Sequence, residues 1–190
     1  MKKDELRKIY YQKRLLVDEI QRKKLMEKIL QELKKHTLVN KYVSIYLPIK
    51  RNNEIDTYPI IELIEKMEGK IVVPKSDFKT GVMTHFLFTK NTRLELNEFD
   101  IPEPINEKAV QNSQIDIVLL PLLIFDQFGH RVGYGKGFYD RFLSDCRADT
   151  IKIGLCDFSS VDQISPVLPS DIAMDFCITT DKLYTFKRNE

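Results

Sequence analysis

Hydrophobic residues recur at helical spacing through the first 36 residues of the chain. Leucine and isoleucine interrupt the charged residues of this segment at Leu6, Leu16, Ile20, Leu25, Ile29 and Leu33. The spacing predicts one or two amphipathic helices over residues 3–36. A break is expected near Val17, because Asp18 can cap a second helix. The basic residues alternate with the apolar ones, so they favour a solvated helix face over an RNA-binding patch.

From residue 42 onward, short β-rich runs alternate with helical stretches. The runs predicted as strands are 42–47, 70–74, 83–88, 114–121, 151–155 and 176–179, with 184–186 as a weaker last strand. Helical spacing predicts helices over 57–67, with Gly69 as C-cap, and over 137–146. The continuous apolar run 114–121 is typical of a buried parallel strand. The pattern predicts the α/β class, as a three-layer Rossmann-like domain with a mainly parallel sheet.

The size and charge of the chain narrow the classes of protein that it can represent. Its 190 residues contain no repeat and no Pro/Gly/Ser linker, so we expect a single domain over 1–190. Lys and Arg total 30 against 28 Asp and Glu, a balance that does not favour nucleic-acid binding. No run approaches the roughly 18 apolar residues of a membrane span, and no signal-peptide core follows Met1. We therefore expect a cytoplasmic protein with neither a nucleic-acid nor a membrane partner.

Glycines cluster between the apolar run 114–121 and the predicted helix 137–146. Four of the seven glycines lie within nine residues, at Gly129, Gly133, Gly135 and Gly137. Glycines in a strand-to-helix loop let backbone N–H groups approach phosphate oxygens. The loop also contains Lys136, but it is neither a dinucleotide fingerprint nor a P-loop, because the residue after Lys136 is glycine. A simple turn needs only one or two glycines and no lysine, so the loop predicts a phosphate site.

The segment 120–142 carries a resemblance to a known family. Its sequence, LPLLIFDQFGHRVGYGKGFYDRF, resembles the signature of the 5-formyltetrahydrofolate cyclo-ligases. Four other segments resemble elements of the same family: 3–7 (KDELR), 54–57 (EIDT), 101–104 (IPEP) and 168–175. The resemblance spans nearly the whole chain. It implies a fold similar to the NagB/RpiA/CoA-transferase-like proteins.

The resemblance also implies a reaction, in which 5-formyltetrahydrofolate becomes 5,10-methenyltetrahydrofolate with ATP as co-substrate and Mg²⁺ as metal. The formyl oxygen would be phosphorylated, N10 would attack the iminium carbon, and phosphate would leave. Such a transfer depends on positioning and on stabilisation of charge, hence on cations and backbone donors. We expect a monomer whose only partner is this small-molecule folate, in mono- or polyglutamylated form.

The resemblance implies three sets of site residues, with Lys136 and Arg131 as the catalytic cations. ATP is expected on Lys3, Asp4, Glu5, Leu6, Arg7, Arg131, Val132, Gly133, Tyr134, Gly135, Lys136, Gly137, Phe138 and Tyr139. Folate is expected on Leu47, Glu54, Tyr134, Gly135, Lys136, Gly137 and Phe138. Mg²⁺ is expected on Asp140 and Asp171. Lys3 and Arg7, four residues apart on one helix face, can grip one anion together.

Several of these residues have a second interpretation from the sequence alone. Asp140 falls in the first turn of a helix, where an aspartate often only complements the helix dipole. Leu47 at a strand end is typical of core, and Glu54 of an exposed loop. His130 is more typical of a surface residue than of a general base. Phe138 stands where the family commonly has tyrosine, so a hydroxyl there is lost or moved to the next residue.

Two other functions fit the expected architecture. Sugar-phosphate isomerases and CoA transferases use related sheets, and fold alone does not choose among them, although the glycine-lysine loop argues against both. A folate- or nucleotide-binding regulator without turnover also stays open. Consumption of ATP in the presence of 5-formyltetrahydrofolate separates the regulator from the enzyme.

Overall fold

The computed structural model describes residues 1–105 and 107–187, which form two compact units. The first unit contains Met1–His36, Leu120–Lys136 and Lys152–Glu190, and the second contains Thr37–Leu119 and Gly137–Ile151. The expectation of a single domain over 1–190 stays a prediction.

The helices and strands follow the predicted order along the chain. The helices are α1 (Lys3–Leu15), α2 (Glu19–Leu33), α3 (Tyr58–Lys66) and α4 (Phe138–Ser144). The strands are β1 (Tyr42–Ile45), β2 (Lys70–Ser76), β3 (Met83–Phe88), β4 (Leu94–Leu96), β5 (Pro102–Pro104), β6 (Ala109–Val110), β7 (Ile117–Pro121), β8 (Ile124–Phe125), β9 (Arg131–Val132), β10 (Ile151–Leu155), β11 (Phe176–Ile178) and β12 (Leu183–Thr185). Each predicted helix and strand is confirmed, while β4, β5, β6, β8 and β9 were not predicted.

In the first unit, the predicted break between two N-terminal helices is confirmed. Asp18 caps α2 in a capping box, where its carboxylate accepts from the N–H of Gln21 at 2.8 Å. The apolar stripe of α2 is buried at Leu25, Ile29 and Leu33, and α2 lies against β11. Strand β10 pairs with β11 in parallel, and β12 pairs with β11 antiparallel.

In the second unit, the sheet has the strand order β7-β1-β2-β3-β6. Strand β1 pairs in parallel with both β2 and β7, so β1, α3 and β2 form a β-α-β unit. Strands β3 and β6 add antiparallel pairs at one edge. The left-handed residue after α3 is Glu68, with φ 59°, and not the predicted Gly69. Gly69 is needed for close packing instead, because a Cβ there would lie 2.6 Å from Cγ2 of Ile64.

The α/β class with a mainly parallel sheet is confirmed, since β1 pairs in parallel with β2 and β7, and β10 pairs in parallel with β11. In the same sheets, β3 and β12 form antiparallel pairs, toward the ends of the strand order. The three-layer arrangement and the closer likeness to NagB/RpiA/CoA-transferase-like proteins stay predictions. Cys156 and Cys177 are buried, and Cys146 is partly exposed. In the part of the chain that the structure describes, no helix is long and apolar enough to cross a membrane.

Candidate functional site

The glycine-rich loop follows a short hairpin, β8–β9, whose turn is closed by a buried aspartate. Asp126 is fully buried, and its Oδ1 accepts from the N–H groups of Phe128 at 2.9 Å and His130 at 3.0 Å. Its Oδ2 accepts from the N–H of Ile164 at 3.1 Å and lies 3.2 Å from Nδ1 of His130. Gly129 takes φ 86°, which few other residues adopt easily. Because this turn is fixed, it sets the position in space of β9 and of the glycine-rich loop that follows β9.

Arg7 of α1 lies directly against this loop. Its Nε donates to the carbonyl oxygen of Gly133 at 2.9 Å, and its guanidinium also pairs with the carboxylate of Asp4. Gly135 has φ 87°, and a Cβ there would lie 2.8 Å from Cζ of Arg7. At Gly133, by contrast, a Cβ would meet nothing within 4 Å. Arg7 therefore contacts the backbone at both glycines, but only Gly133 has free space where a Cβ would lie.

Lys3 and Asp171, one expected on ATP and the other on Mg²⁺, form an ion pair with each other. The Asp171 carboxylate also accepts from the N–H of Leu168 at 2.6 Å. Burial raises the pKa of this carboxyl, but the hydrogen bonds from Lys3 and Leu168 and the charges of Lys3 and Arg131 outweigh it, so the pKa lies below its ordinary value. Asp171 is thus held as a carboxylate beside two cations.

Arg131 is fixed near the same carboxylate. Its Nη1 donates to the carbonyl oxygen of Ile172, the residue after Asp171. The first unit therefore brings together four of the predicted residues: the cations Lys3 and Arg131, the carboxylate Asp171, and Arg7 on the helix that also carries Lys3.

The remaining residues predicted to bind ATP at the start of α1 and in β9 differ in the solvent exposure of their side chains. Asp4 and Glu5 are exposed. Leu6 is fully buried in a cluster with Ile124, Val132 and Ile164. The side chains of Leu6 and Val132 are therefore core, and only their backbone atoms are available to a ligand.

In the second unit, α4 begins with the remaining residues of the predicted loop. Gly137 is its N-cap with φ 68°, and a Cβ there would lie 2.9 Å from Nη1 of Arg141. The Phe138 ring meets the ring of Phe78 edge-on at 5.1 Å, and the Arg141 guanidinium lies 5.4 Å from its centre. Asp140 falls in the first turn, as predicted. An aromatic surface and a carboxylate thus share one short helix.

Two further predicted residues, Leu47 and Glu54, lie near the end of β1 in the second unit. Leu47 is 5% exposed, so its side chain belongs mainly to the core. Glu54 is only partly exposed, because its Oε2 accepts from the N–H of Ile49 at 2.7 Å. The interpretation of Glu54 as an ordinary exposed loop acid is therefore wrong. Its carboxylate closes the turn over residues 49–54.

Comparisons with known proteins identify the family of the chain. The model of the 5-formyltetrahydrofolate cyclo-ligase family matches residues 1–180. The chain belongs to the 5-formyltetrahydrofolate cyclo-ligase family. It is therefore an enzyme of the ligase class.

Individual cyclo-ligases resemble the chain over most of its length. The 5-formyltetrahydrofolate cyclo-ligase of Mycoplasma pneumoniae is 31% identical over 186 residues, covering 95% of this chain and 100% of the relative. The mouse cyclo-ligase is 31% identical over 141 residues, covering 70% of this chain and 68% of the relative. The NMR structure of Aquifex aeolicus 5,10-methenyltetrahydrofolate synthetase is similar with a TM-score of 0.80 at 28% identity, covering 99% of this chain and 94% of that one.

The two carboxylates predicted to hold Mg²⁺, Asp140 and Asp171, do not form a metal site of protein ligands alone. Across 1–105 and 107–187, no group of three or more His, Cys, Asp and Glu side chains could hold a metal ion. Asp140 and Asp171 each offer hard carboxylate oxygens, which suit Mg²⁺ when phosphate oxygens and water complete its coordination. Asp171 is already engaged by Lys3, so a metal there would have to compete with that ammonium.

Sequence analysis missed three features of the cyclo-ligase structure. It gave His130 no partner, whereas Asp126, four residues earlier in the same turn, faces its Nδ1. It did not single out Phe78, which packs against Phe138, because a lone phenylalanine in a loop carries no pattern. It also placed the N-terminal basic residues in solvent, whereas Arg14 is 3% exposed. A possible signal for Arg14 is its position seven residues after Arg7, two helical turns along the same face.

Proposed function

We propose that this chain converts 5-formyltetrahydrofolate to 5,10-methenyltetrahydrofolate, with consumption of ATP in the presence of Mg²⁺. The observation that carries the proposal is the set of cations around the glycine-rich loop in the first unit. Arg7 contacts the loop backbone, and Arg131 is the first residue of the loop segment 131–139. Lys3 pairs with the carboxylate of Asp171, whose pKa the charge of Arg131 also lowers. Membership of the cyclo-ligase family supplies the reaction in which such a phosphate site is used.

The proposed reaction has two steps, phosphorylation of the formyl oxygen and ring closure by N10. The formyl oxygen attacks the γ-phosphorus of ATP, and the P–O bond to ADP breaks. N10 then attacks the activated formyl carbon and loses its proton, and the C–O bond breaks to release phosphate with the former formyl oxygen. Charge accumulates on phosphate oxygens throughout, so cations and backbone N–H donors lower the barrier.

In this proposal, ATP binds the loop residues 131–139 together with the start of α1. Lys136 and Arg131 stabilise the transferring phosphoryl group, and the space beside Gly133, where a Cβ would meet nothing within 4 Å, leaves room for a ligand. Lys136 is exposed, as a side chain that receives a ligand from solvent must be. When bound, Mg²⁺ would neutralise charge on the β- and γ-phosphates. Asp140 and Asp171 are the residues proposed to hold it.

The folate is proposed to bind Leu47, Glu54 and the residues 134–138. The partly buried carboxylate of Glu54 can accept hydrogen bonds from the ring N–H groups of a pterin, and Leu47 and Phe138 provide apolar surface. Phe138 lacks the hydroxyl of the commoner tyrosine, so its role is confined to contact through the ring. We also propose that the enzyme is a cytoplasmic monomer.

A spectrophotometric assay for methenyltetrahydrofolate tests the proposal. Absorbance should rise with 5-formyltetrahydrofolate, ATP and Mg²⁺ together, and stay flat when any one is omitted. Product without ATP would contradict an ATP-dependent reaction. Binding of both ligands without product would support the regulator instead.

A further inference from the structure

At the C-terminal end of α1, a charged side chain is buried and two apolar side chains are exposed. Arg14 is 3% exposed, whereas Leu15 is 38% and Leu16 is 83% exposed. Placing a guanidinium inside and two leucines outside is unfavourable by solvation alone, because a buried charge needs compensating contacts. The contacts of Arg14 should therefore explain why the chain accepts this arrangement.

The first contact of Arg14 is with the glycine-rich loop. Its Nη2 donates to the hydroxyl of Tyr134 at 2.5 Å. Its guanidinium also lies 5.3 Å from the centre of the Tyr134 ring and 5.7 Å from that of Tyr11. Tyr134 is 40% exposed, so Arg14 holds the inner end of a side chain whose remainder faces solvent. A hydrogen bond to a charged donor is stronger than one between neutral groups.

Arg14 also acts electrostatically on a buried carboxylate. Asp157 is 6% exposed and pairs with Arg22 of α2 at 2.9 Å. Burial raises the pKa of the Asp157 carboxyl above its ordinary value, while the charges of Arg22 and Arg14 act in the opposite direction. Arg22 pairs with this carboxylate directly, whereas Arg14 acts on it through its charge, and of the two only Arg14 has a described contact with the loop.

Arg14 is the second arginine through which α1 holds the loop. Arg7, two turns earlier on the same helix face, donates to the carbonyl oxygen of Gly133 and packs on Gly135. Arg7 therefore fixes the loop through its backbone, and Arg14 fixes it through the side chain between those two glycines. A segment rich in glycine loses much conformational entropy on ordering, so two anchors on a rigid helix reduce the cost of ordering it at binding.

We propose that Arg14 is a positioning residue that holds Tyr134, and with it the backbone amides of 133–136, in the conformation that receives the nucleotide. The proposal rests on the proposed function in one respect, namely that the loop binds ATP. Arg14 itself does not touch the ligand. It acts through the Tyr134 hydroxyl.

Three variants separate positioning from a general structural role. Arg14→Gln removes the charged donor, Tyr134→Phe removes only the hydroxyl at a half-exposed site, and Arg22→Gln is the matched control in the same buried cluster. The measurements are amide hydrogen exchange of 131–136 without nucleotide, ATP affinity by calorimetry, and kcat and KM for ATP. Tyr134→Phe keeps the test valid if Arg14→Gln fails to fold.

We expect Arg14→Gln and Tyr134→Phe each to speed exchange in 131–136 and to weaken ATP binding about fivefold to thirtyfold. KM for ATP should rise with little change in kcat, and the double variant should be no worse than Arg14→Gln alone, since both remove one interaction. Arg22→Gln should lower Tm yet leave loop exchange and KM for ATP within about twofold.

Equal effects of Arg14→Gln and Arg22→Gln on exchange and on KM would overturn the proposal, as would unchanged loop exchange in both Arg14→Gln and Tyr134→Phe. The positioning role of Arg14 and the proposed function would be contradicted by different results. If the wild type binds no ATP while Arg14→Gln still loosens 131–136, the positioning role stands and the proposed function falls.

Discussion

Arg7 and Gly135 are matched in shape. Gly135 takes φ 87°, and the site of its missing Cβ lies 2.8 Å from Cζ of Arg7. The guanidinium thus occupies space that any other side chain at 135 would need. The glycine is required twice, once for its backbone conformation and once for the approach of the arginine.

Gly135→Ala should therefore destabilise the chain, and Gly133→Ala should not. A left-handed alanine costs about 1–2 kcal/mol, which in a chain of this size lowers Tm by roughly 2–8 °C. At 133, a Cβ meets nothing within 4 Å, so we expect a change of less than about 2 °C. Thermal unfolding without nucleotide measures both. Equal shifts in the two variants would show that Arg7 does not restrict the loop.

Lys136→Ala should lower kcat/KM by about tenfold to a hundredfold, because a charge contact to a phosphoryl group is worth about 1.5–3 kcal/mol. Tm without nucleotide should change little, since Lys136 is exposed. Lys136→Arg keeps the charge in a larger planar head and should recover only part of the loss. Lys90→Ala, at an exposed lysine in another turn, is the control. Unchanged kcat and KM in Lys136→Ala would make Lys136 a solvated loop charge.

Asp140→Asn should raise the Mg²⁺ concentration needed for half-maximal activity by about tenfold or more, because the amide keeps the shape but loses the charge that attracts a hard cation. Asp145→Asn makes the same change at the exposed C-cap of the same helix and should leave this concentration unaltered. A titration of turnover against Mg²⁺ compares them. If both variants match the wild type at low Mg²⁺, Asp140 only complements the helix dipole.

The fold was predictable where the sequence has a clear period or a strong cap. Asp18 predicted the start of α2, and the apolar run 114–121 predicted β7. Strands β8 and β9 have two residues each, too few for any alternation to appear. Strand β5 begins and ends with proline, which sequence analysis assigns to turns. Short or proline-rich strands depend on tertiary pairing, and therefore escape a pattern search.

The candidate site was predictable from its motifs, but its contacts were not. Lys3 and Arg7 were expected to grip one anion together. In the structure Lys3 pairs with Asp171, 168 positions away in the chain, and Arg7 pairs with Asp4 and the Gly133 carbonyl. A pairing over that distance leaves no trace in local spacing. The roles assigned to the site residues stay predictions.

His85 makes stability depend on pH in the mildly acidic range. It is fully buried, its Nε2 lies 2.9 Å from Oγ of Ser44, and its ring stacks on Phe142 at 4.1 Å. Burial lowers the pKa of His85 from its ordinary value of 6.5 to about 3. The unfolded chain therefore binds this proton more readily than the folded one. The stability that depends on neutral His85 is complete above pH 6.5 and is lost progressively as pH falls from 6.5 toward 3.

His85→Gln should remove this part of the pH dependence. Between pH 7.5 and pH 5, the wild type should lose about 2 kcal/mol through His85, and the variant should lack that loss. Denaturant unfolding at several pH values gives the free energy of unfolding for both proteins. Carboxylates titrate alike in the wild type and in His85→Gln. The difference between the two curves of unfolding free energy against pH therefore gives the contribution of His85. Parallel curves would show that His85 is protonated equally in the folded and unfolded states.

The central claim is that this chain uses ATP to turn the formyl oxygen into a leaving group. Substrate labelled with ¹⁸O in the formyl group tests it most directly, with the released phosphate analysed by mass spectrometry or ³¹P NMR. The account predicts one ¹⁸O atom in each phosphate and one phosphate for each methenyltetrahydrofolate formed. Unlabelled phosphate, with the ¹⁸O recovered in water, would contradict it.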